Sequence, residues 1–304
     1  MNYDGLLDMS VLDDEVIIYD VSEPDQILER IQGADVVVTK EMPVDGEIIA
    51  QFPDSVKLIC EAGTGYNNID LAAVRAKGIT LCNIPAYSTQ RVAHTAVMLM
   101  LNLASSMQIQ MAMLARGDRS NFTKCLQVSH TELNGKVLGV VGAGNIGKEV
   151  IKIGQALGMR VITYTRSPRE DQKDLRYVTL ETLLKKSDYI SLHCPLTAET
   201  RHMINAETIA MMKPTACIIN TGRGALIDEP ALIKALQEGR IGGAGLDVQE
   251  TEPPVEDNPL YTLPNVVLTP HMGWKGLETR QRLVSILADN IRSFHEGAPI
   301  NVVS

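Results

Sequence analysis

The stretch "VVGAGNIG", Val140 to Gly147, constrains this chain more than any other feature, because it combines a glycine pattern with the context that pattern requires. In GxGxxG the first glycine permits a tight turn, the second lets the backbone approach a pyrophosphate, and the third lets helix and strand pack closely. Gly142, Gly144 and Gly147 occupy those places. The apolar run "KVLGVV" precedes them, and Ile146, Val150, Ile153 and Leu157 follow at helical spacing until Gly158. Strand, turn and helix in that order predict a dinucleotide site, with phosphates meeting amides at the helix N-terminus near Asn145 and Ile146. The turn sits nearly halfway along 304 residues, so the residues before it need their own explanation.

After the turn the alternation continues through "RVITYT", "DYISLHC", a helix around Thr208 to Met212, "ACIINT", a helix from Pro230 to Gln237, "GAGLDV" and "NVVLTP". Strands alternating with helices predict a parallel, doubly wound sheet. The first part repeats the style more weakly: "VIIYD", a helix near Ile27 to Ile31, "DVVVT", "KLICEA", a helix near Leu71 to Lys77, then "TLCN". It reads as a second, smaller α/β domain. Thr89 to about Ala115 reads as one long helix whose methionines serve the core or a subunit contact, and Leu277 to His295 as an amphipathic helix returning to the first domain.

Composition narrows the partners. A net charge of −9 and a pI near 5.2 give no basic footprint for nucleic acid or an anionic membrane, which leaves a small molecule. The N-terminus has neither a basic start nor an apolar run, so the expected compartment is the cytoplasm. Five cysteines without close spacing read as reduced thiols, and six histidines without HExxH predict no metal site.

Where an Asp or Glu would receive the adenosine ribose of NAD, the chain has "YTRSPRE", with Thr165 at the expected place and Arg166, Ser167 and Arg169 behind it. A 2′-phosphate would be repelled by a carboxylate and welcomed by arginine, so NADP is expected over NAD. In the rival reading Glu170 or Asp171 takes the ribose. Three further residues fall at strand ends: Arg223 in "INTGRGALID", Glu252 in "LDVQETEPP" and His271 in "VLTPHMGW". A cation, an acid and a histidine at one sheet edge form a candidate constellation, and each alone is also compatible with a structural role.

The glycine turn, "INTGRGALID", "GAGLDVQETEPP" and "TPHMGW", with "EAGTGYNNIDL" and "NIPAYSTQRVAHTA" before them, resemble the D-isomer-specific 2-hydroxyacid dehydrogenases, most closely the glycerate dehydrogenase and hydroxypyruvate reductase branch. That resemblance implies a cofactor domain, 89–274, inserted into a flavodoxin-like substrate domain, 1–88 with 275–304, which accounts for the residues before the turn. It implies Arg223 holding the substrate carboxylate and carbonyl oxygen, His271 as proton donor and Glu252 as its acidic partner. It implies Gly63, Thr64 and Gly65 offering amides to the carboxylate, with Tyr66 and Trp274 beside a small polar substrate. Asp247 resembles the acid near the nicotinamide carboxamide, and His193, Pro195, Thr200, Thr221 and Gly273 match positions along the cofactor.

Reduction of a 2-keto acid delivers hydride to carbon and a proton to oxygen, and a histidine with an ordinary pKa of ~6.5 beside a carboxylate suits the second task near neutral pH. The expected protein is a homodimeric NADP-preferring reductase of glyoxylate or hydroxypyruvate. The alternatives are an NAD-linked enzyme for lactate or phosphoglycerate, and a non-catalytic dinucleotide sensor. Members of the family begin with a further, central strand before the segment matching "NYDG". The expectation here is therefore an opened first sheet and a less stable first domain, or a different pairing for "EVIIYD".

Overall fold

The computed structural model describes residues 1–12, 15–167, 170–171 and 175–303. They form two compact units, Met1–Ser88 with Lys275–Ser304, and Thr89–Trp274, each described by itself.

In the first unit α1 (Ile27–Arg30), β1 (Val36–Thr39), α2 (Gly46–Ala50), β2 (Leu58–Glu61), α3 (Leu71–Lys77) and β3 (Thr80–Cys82) build a three-stranded parallel sheet with β2 central. Asp70 caps α3 through the amides of Ala72 and Ala73, and Gly78 ends it at φ +67°, a conformation that favours glycine. Ile27, Ile49, Ile59, Val74 and Leu81 make the core. The C-terminal helix Leu277–His295 belongs to this unit and buries Leu283, Val284 and Leu287. The stretch "EVIIYD", expected as a strand, forms none: Ile17 is 77% and Ile18 60% exposed. Its apolar residues have the strand propensity, but they pair with no described strand, and propensity without a partner does not make a strand.

The second unit begins with α4 (Thr89–Ser105), α5 (Met107–Ala115) and α6 (Ser120–Thr123). The single helix expected from Thr89 to Ala115 is two, bent by 66° at Ser106. Ser106 adopts φ +48° and its hydroxyl donates to the Ser129 carbonyl, so a contact 23 residues away takes over where the helical ladder stops. No single described helix is long and apolar enough to cross a membrane.

Then follow β4 (Val137–Val141), α7 (Asn145–Ala156), β5 (Arg160–Tyr164), β6 (Arg176–Tyr177), α8 (Leu180–Lys186), β7 (Tyr189–Leu192), α9 (Ala206–Ala210), β8 (Cys217–Asn220), α10 (Glu229–Gln237), β9 (Gly243–Leu246) and β10 (Val266–Leu268). The seven strands are parallel in the order β10-β9-β8-β7-β4-β5-β6. Two cores cover the two faces, one around Leu99, Met100, Val140 and Val150, the other around Ile190, Leu192, Ile209 and Leu232. Burial on both faces explains why β7 and β9 are buried at every position. Gly245 admits α4: a Cβ there would lie 2.8 Å from Leu99 Cβ. Because every strand runs the same way, all the strand-tip loops emerge at one edge, and the order reverses between β4 and β7, where open α/β sheets bind ligands.

Candidate active site

The glycine turn lies at that reversal. Gly142 adopts φ +95°, and a Cβ on it would meet the His193 carbonyl oxygen at 2.7 Å. A Cβ on Gly147 would lie 2.0 Å from the Gly142 carbonyl oxygen, so the first turn of α7 packs directly on the loop. Gly144, the N-cap of α7, has no side-chain cap, and a Cβ there would meet nothing within 4 Å. The turn is closed toward the protein and open over the amides of Asn145 and Ile146, as a bound pyrophosphate requires. Thr221 Oγ1, at the tip of β8, is buried with no hydrogen-bond partner among the described residues. An open helix N-terminus and an orphaned buried hydroxyl on the same edge fit a dinucleotide.

Around that turn, His193 Nε2 lies 2.7 Å from Ser191 Oγ, and burial pushes the imidazole down to about 4, so it is neutral near pH 7. Thr200 Oγ1 donates to the Pro195 carbonyl at 2.7 Å and accepts from Thr197 N at 2.8 Å, closing the loop after β7. At the tip of β5, Thr165 Oγ1 donates to the Ser167 carbonyl at 2.7 Å, and Arg166 is exposed. The Glu199 carboxyl is held below its usual range, first by the Thr197 hydroxyl and further by the Arg166 charge. Asp171, a rival for the ribose, accepts the Tyr177 amide at 2.8 Å. Arg169 lies outside the described residues.

The cation, acid and histidine leave neighbouring strands β8, β9 and β10. His271 Nδ1 lies 2.7 Å from Glu252 Oε2, and Glu252 Oε1 accepts the Gln249 amide at 3.0 Å. Burial pushes the Glu252 carboxyl up, but the hydrogen bond and charge of His271, the Gln249 amide and the Arg223 charge outweigh it and hold it below the usual range. His271 sits at φ +47°, a cost of roughly 1–3 kcal/mol for a residue with a Cβ, tolerated only where surroundings enforce it. Asp247 supplies the enforcement. Its Oδ1 accepts from Thr269 Oγ1 at 2.5 Å and Met272 N at 2.9 Å, its Oδ2 from Gly273 N at 2.8 Å, and its carbonyl from His271 N at 2.9 Å. Asn220, fully buried, shapes the Arg223 turn by accepting from Gly222 N and donating to the Arg223 carbonyl. A cavity of about 580 Å³ adjoins the pair, walled by Pro253, Pro254, Leu268 and Pro270. Trp274 is buried.

In the first unit, Gly63, Thr64, Gly65 and Tyr66 follow the tip of β2. The Gly63 carbonyl accepts Ile84 N at 2.9 Å, Thr64 Oγ1 donates to the Ile84 carbonyl at 3.0 Å, and Asn83 Nδ2 to the Thr64 carbonyl at 2.8 Å. Beneath the loop, Glu61 is fully buried and accepts from Thr39 Oγ1, Glu41 N and Asn68 Nδ2. Burial raises its carboxyl above the usual range despite those donors. The reading of the residues missed Asp247 as the anchor of the histidine loop, and Asn220, Glu61 and Gln249. Asn220, Glu61 and Asp247, each polar at or just past the end of an apolar strand, carried a local signal.

Residues 97–273 match the family model described as D-isomer specific 2-hydroxyacid dehydrogenase, NAD binding domain. The chain is 39% identical over 297 residues to a hydroxypyruvate reductase of Blautia hydrogenotrophica, covering 95% of this chain and 92% of that one. Among solved structures it is similar to an acyclic imino acid reductase in complex with NADPH and D-Arg, at a TM-score of 0.85 and 33% identity over 94% of this chain and 91% of that one. It is also similar to a glyoxylate reductase from Paecilomyes thermophila, at a TM-score of 0.84 and 33% identity over 93% and 89% of the two chains.

Proposed function

The chain belongs to the D-isomer-specific 2-hydroxyacid dehydrogenases and is a nicotinamide-dependent oxidoreductase, and we propose that it reduces a small 2-keto acid, hydroxypyruvate or glyoxylate, to the D-2-hydroxy acid. The observation that carries this reading is the 2.7 Å contact between Glu252 and His271, with Arg223 in the turn after the neighbouring strand β8 and the glycine turn at the same sheet edge.

Gly142, Gly144, Gly147 and the first amides of α7 would hold the pyrophosphate, and Thr221, His193, Pro195 and Thr200 would line the rest of the cofactor. When bound there, a reduced nicotinamide would supply the hydride. Arg223 offers a fork of donors to the substrate carboxylate and polarises the keto oxygen. Glu252 accepts the Nδ1 proton of His271 and so fixes the tautomer, leaving Nε2 to give a proton to the oxygen as it becomes an alcohol. Asp247 keeps His271 in its strained backbone conformation. Gly63, Thr64 and Gly65 are assigned to the substrate carboxylate, and Tyr66 and Trp274 to enclosing the substrate.

NADP is proposed over NAD because the tip of β5 presents Thr165, Arg166 and Ser167 and no acid. A homodimer is proposed because α5 and α6 expose Met107, Met111, Leu114 and Phe122.

The test follows absorbance of the reduced nicotinamide while the protein meets hydroxypyruvate or glyoxylate, with NADPH and NADH in parallel. Faster oxidation of NADPH is the expected result. Oxidation of NADH alone would overturn the coenzyme assignment, and silence with both would favour a sensor. Loss of turnover in His271→Gln with NADPH binding intact is expected; undiminished turnover would remove His271 from the mechanism.

A further inference from the structure

Behind the Glu252–His271 pair lies a second histidine–carboxylate pair. Glu250 Oε1 is 2.6 Å from His202 Nε2 and 3.3 Å from Arg201 Nη2. Its Oε2 accepts the Glu229 amide at 3.3 Å, and its own amide donates to Glu229 Oε2 at 3.0 Å. Asn258, buried, donates to Glu229 Oε1 at 2.8 Å and to Gln249 Oε1 at 3.2 Å. The next link is the Gln249 amide on Glu252 Oε1.

The other end of the network reaches the arginine. His202, at φ +51°, donates its amide to the Ala225 carbonyl at 2.9 Å, and Ile204 N donates to the Leu226 carbonyl, so the 202–204 segment is stitched to the turn after Arg223. Gly224 lies against the Gln249–Glu250 peptide so closely that a Cβ would stand 1.9 Å from the Gln249 carbonyl oxygen and 2.4 Å from Glu250 N. The Gln249–Glu250 peptide is thus clasped between the arginine turn and the first residue of α10, and Glu250 closes the clasp with its side chain.

We infer that Glu250 is a positioning residue, whose grip on His202, Arg201 and the Glu229 amide aims the Gln249 amide at Glu252 and thereby fixes the carboxylate that orients His271. This rests on the roles given above to Glu252 and His271. Glu250 touches no reacting group in this scheme and acts through Glu252. A side chain half as well held would let the 249–252 segment turn, and Glu252 would lose its only backbone donor among the described residues. The charged and titratable groups around the two carboxylates are His271 and Arg223 facing Glu252, Arg201, His202 and Glu229 facing Glu250, and Asp247 at the tip of the same strand.

The test compares the protein with Glu250→Ala, Glu250→Gln and Glu252→Gln. The first readout needs no turnover: the carboxyl 13C shift of Glu252, assigned through Glu252→Gln, is followed against pH. Because the Gln249 amide helps hold that carboxyl low, Glu250→Ala is expected to move the titration midpoint upward. The second readout is the pH profile of kcat/KM for keto-acid reduction. Its acidic limb is expected to move upward with the carboxyl midpoint, and kcat/KM at neutral pH to fall by about 10- to 100-fold, the scale of a misaligned catalytic group. In the Glu252→Gln background Glu250→Ala is expected to cost little more.

An unmoved Glu252 midpoint overturns the inference, whatever happens to activity or melting temperature, since a purely structural role would change those alone. Should Glu250→Ala fail to fold, Glu250→Gln and His202→Gln carry the same comparison. Absence of turnover by the unaltered protein would defeat the functional reading and leave the carboxyl titration to decide the role of Glu250.

Discussion

Replacing Asp247 by asparagine keeps the side-chain shape and removes one acceptor from a buried site that uses both. Asp247 is 2% exposed, and three donors converge on its carboxylate: Thr269 Oγ1 and Met272 N on Oδ1, Gly273 N on Oδ2. An amide turned to keep its oxygen toward the first two points its NH2 at the Gly273 N–H, whose position 2.8 Å away is fixed by the backbone. An unsatisfied buried N–H costs about 1–3 kcal/mol, and reducing two charge-assisted bonds to neutral ones costs about 1 kcal/mol each. Relief of the buried charge offsets part of this, which leaves a loss of about 2–4 kcal/mol. For a unit of this size each kcal/mol moves the melting temperature by about 2–4 °C, so Asp247→Asn is expected to melt about 10 °C lower. The assay is urea unfolding at pH 7 beside calorimetry, with turnover measured well below the melting temperature. Turnover is expected to fall as well, because the loosened loop carries His271 at its positive φ. A variant that unfolds within about 0.5 kcal/mol of the parent, the range of an unremarkable surface change, refutes the anchoring argument.

Gly144→Ala and Gly147→Ala are expected to separate cofactor binding from folding. Alanine at 144 meets no protein atom within 4 Å, so the melting temperature should hold while NADPH affinity, read by fluorescence titration, drops; alanine at 147 strikes the Gly142 carbonyl at 2.0 Å and should lower both. Equal affinity in Gly144→Ala would mean that no phosphate approaches that backbone. Acid sensitivity follows from carboxylates held below their usual range in the folded state. Burial opposes the depression of Asp188, but the ion pair to Lys213 at 2.8 Å and the Val137 amide prevail, and Glu252 is likewise depressed. Their contribution is therefore complete above the unfolded carboxylate pKa of about 4 and is lost as pH falls through the lower folded values. The stability of Asp188→Asn, from urea midpoints between neutral pH and pH 3, should vary less with pH than the parent's; an unchanged slope would count against the assignment.

The parts of the second unit that the sequence makes legible are those whose physics is local. The glycine turn needs only its own backbone and the helix after it, and the apolar runs of β7, β8 and β9 announce strands buried on both faces. Arg223, Glu252 and His271 stand out because glycines, prolines and strand ends mark the loops that carry them. The misreadings come where a distant partner decides. "EVIIYD" has the composition of a strand, yet its fate depends on an edge to pair with, and a run of six residues says nothing of that. Ser106 looks like any polar residue inside a long helix, and at the bend its hydroxyl meets the carbonyl of Ser129, a partner 23 residues away.

The same reasoning explains why the anchors of the site were hidden while its reacting groups were not. A residue that meets a substrate must sit at an exposed sheet edge, and edges leave punctuation in the sequence. Asp247, Asn220 and Glu250 act on other parts of the protein, and their partners lie as far apart in sequence as Gly273 from Asp247 and His202 from Glu250. Before the fold is known, an aspartate at the end of β9 is equally consistent with a cofactor contact or a loop anchor. Its three convergent donors at 2.5–2.9 Å make anchoring the function its carboxylate already performs. Any contact with a nicotinamide then has to use the acceptor capacity those donors leave, so a substitution at 247 that lowers cofactor affinity alone, with His271 still in place, would be the one that separates the two roles.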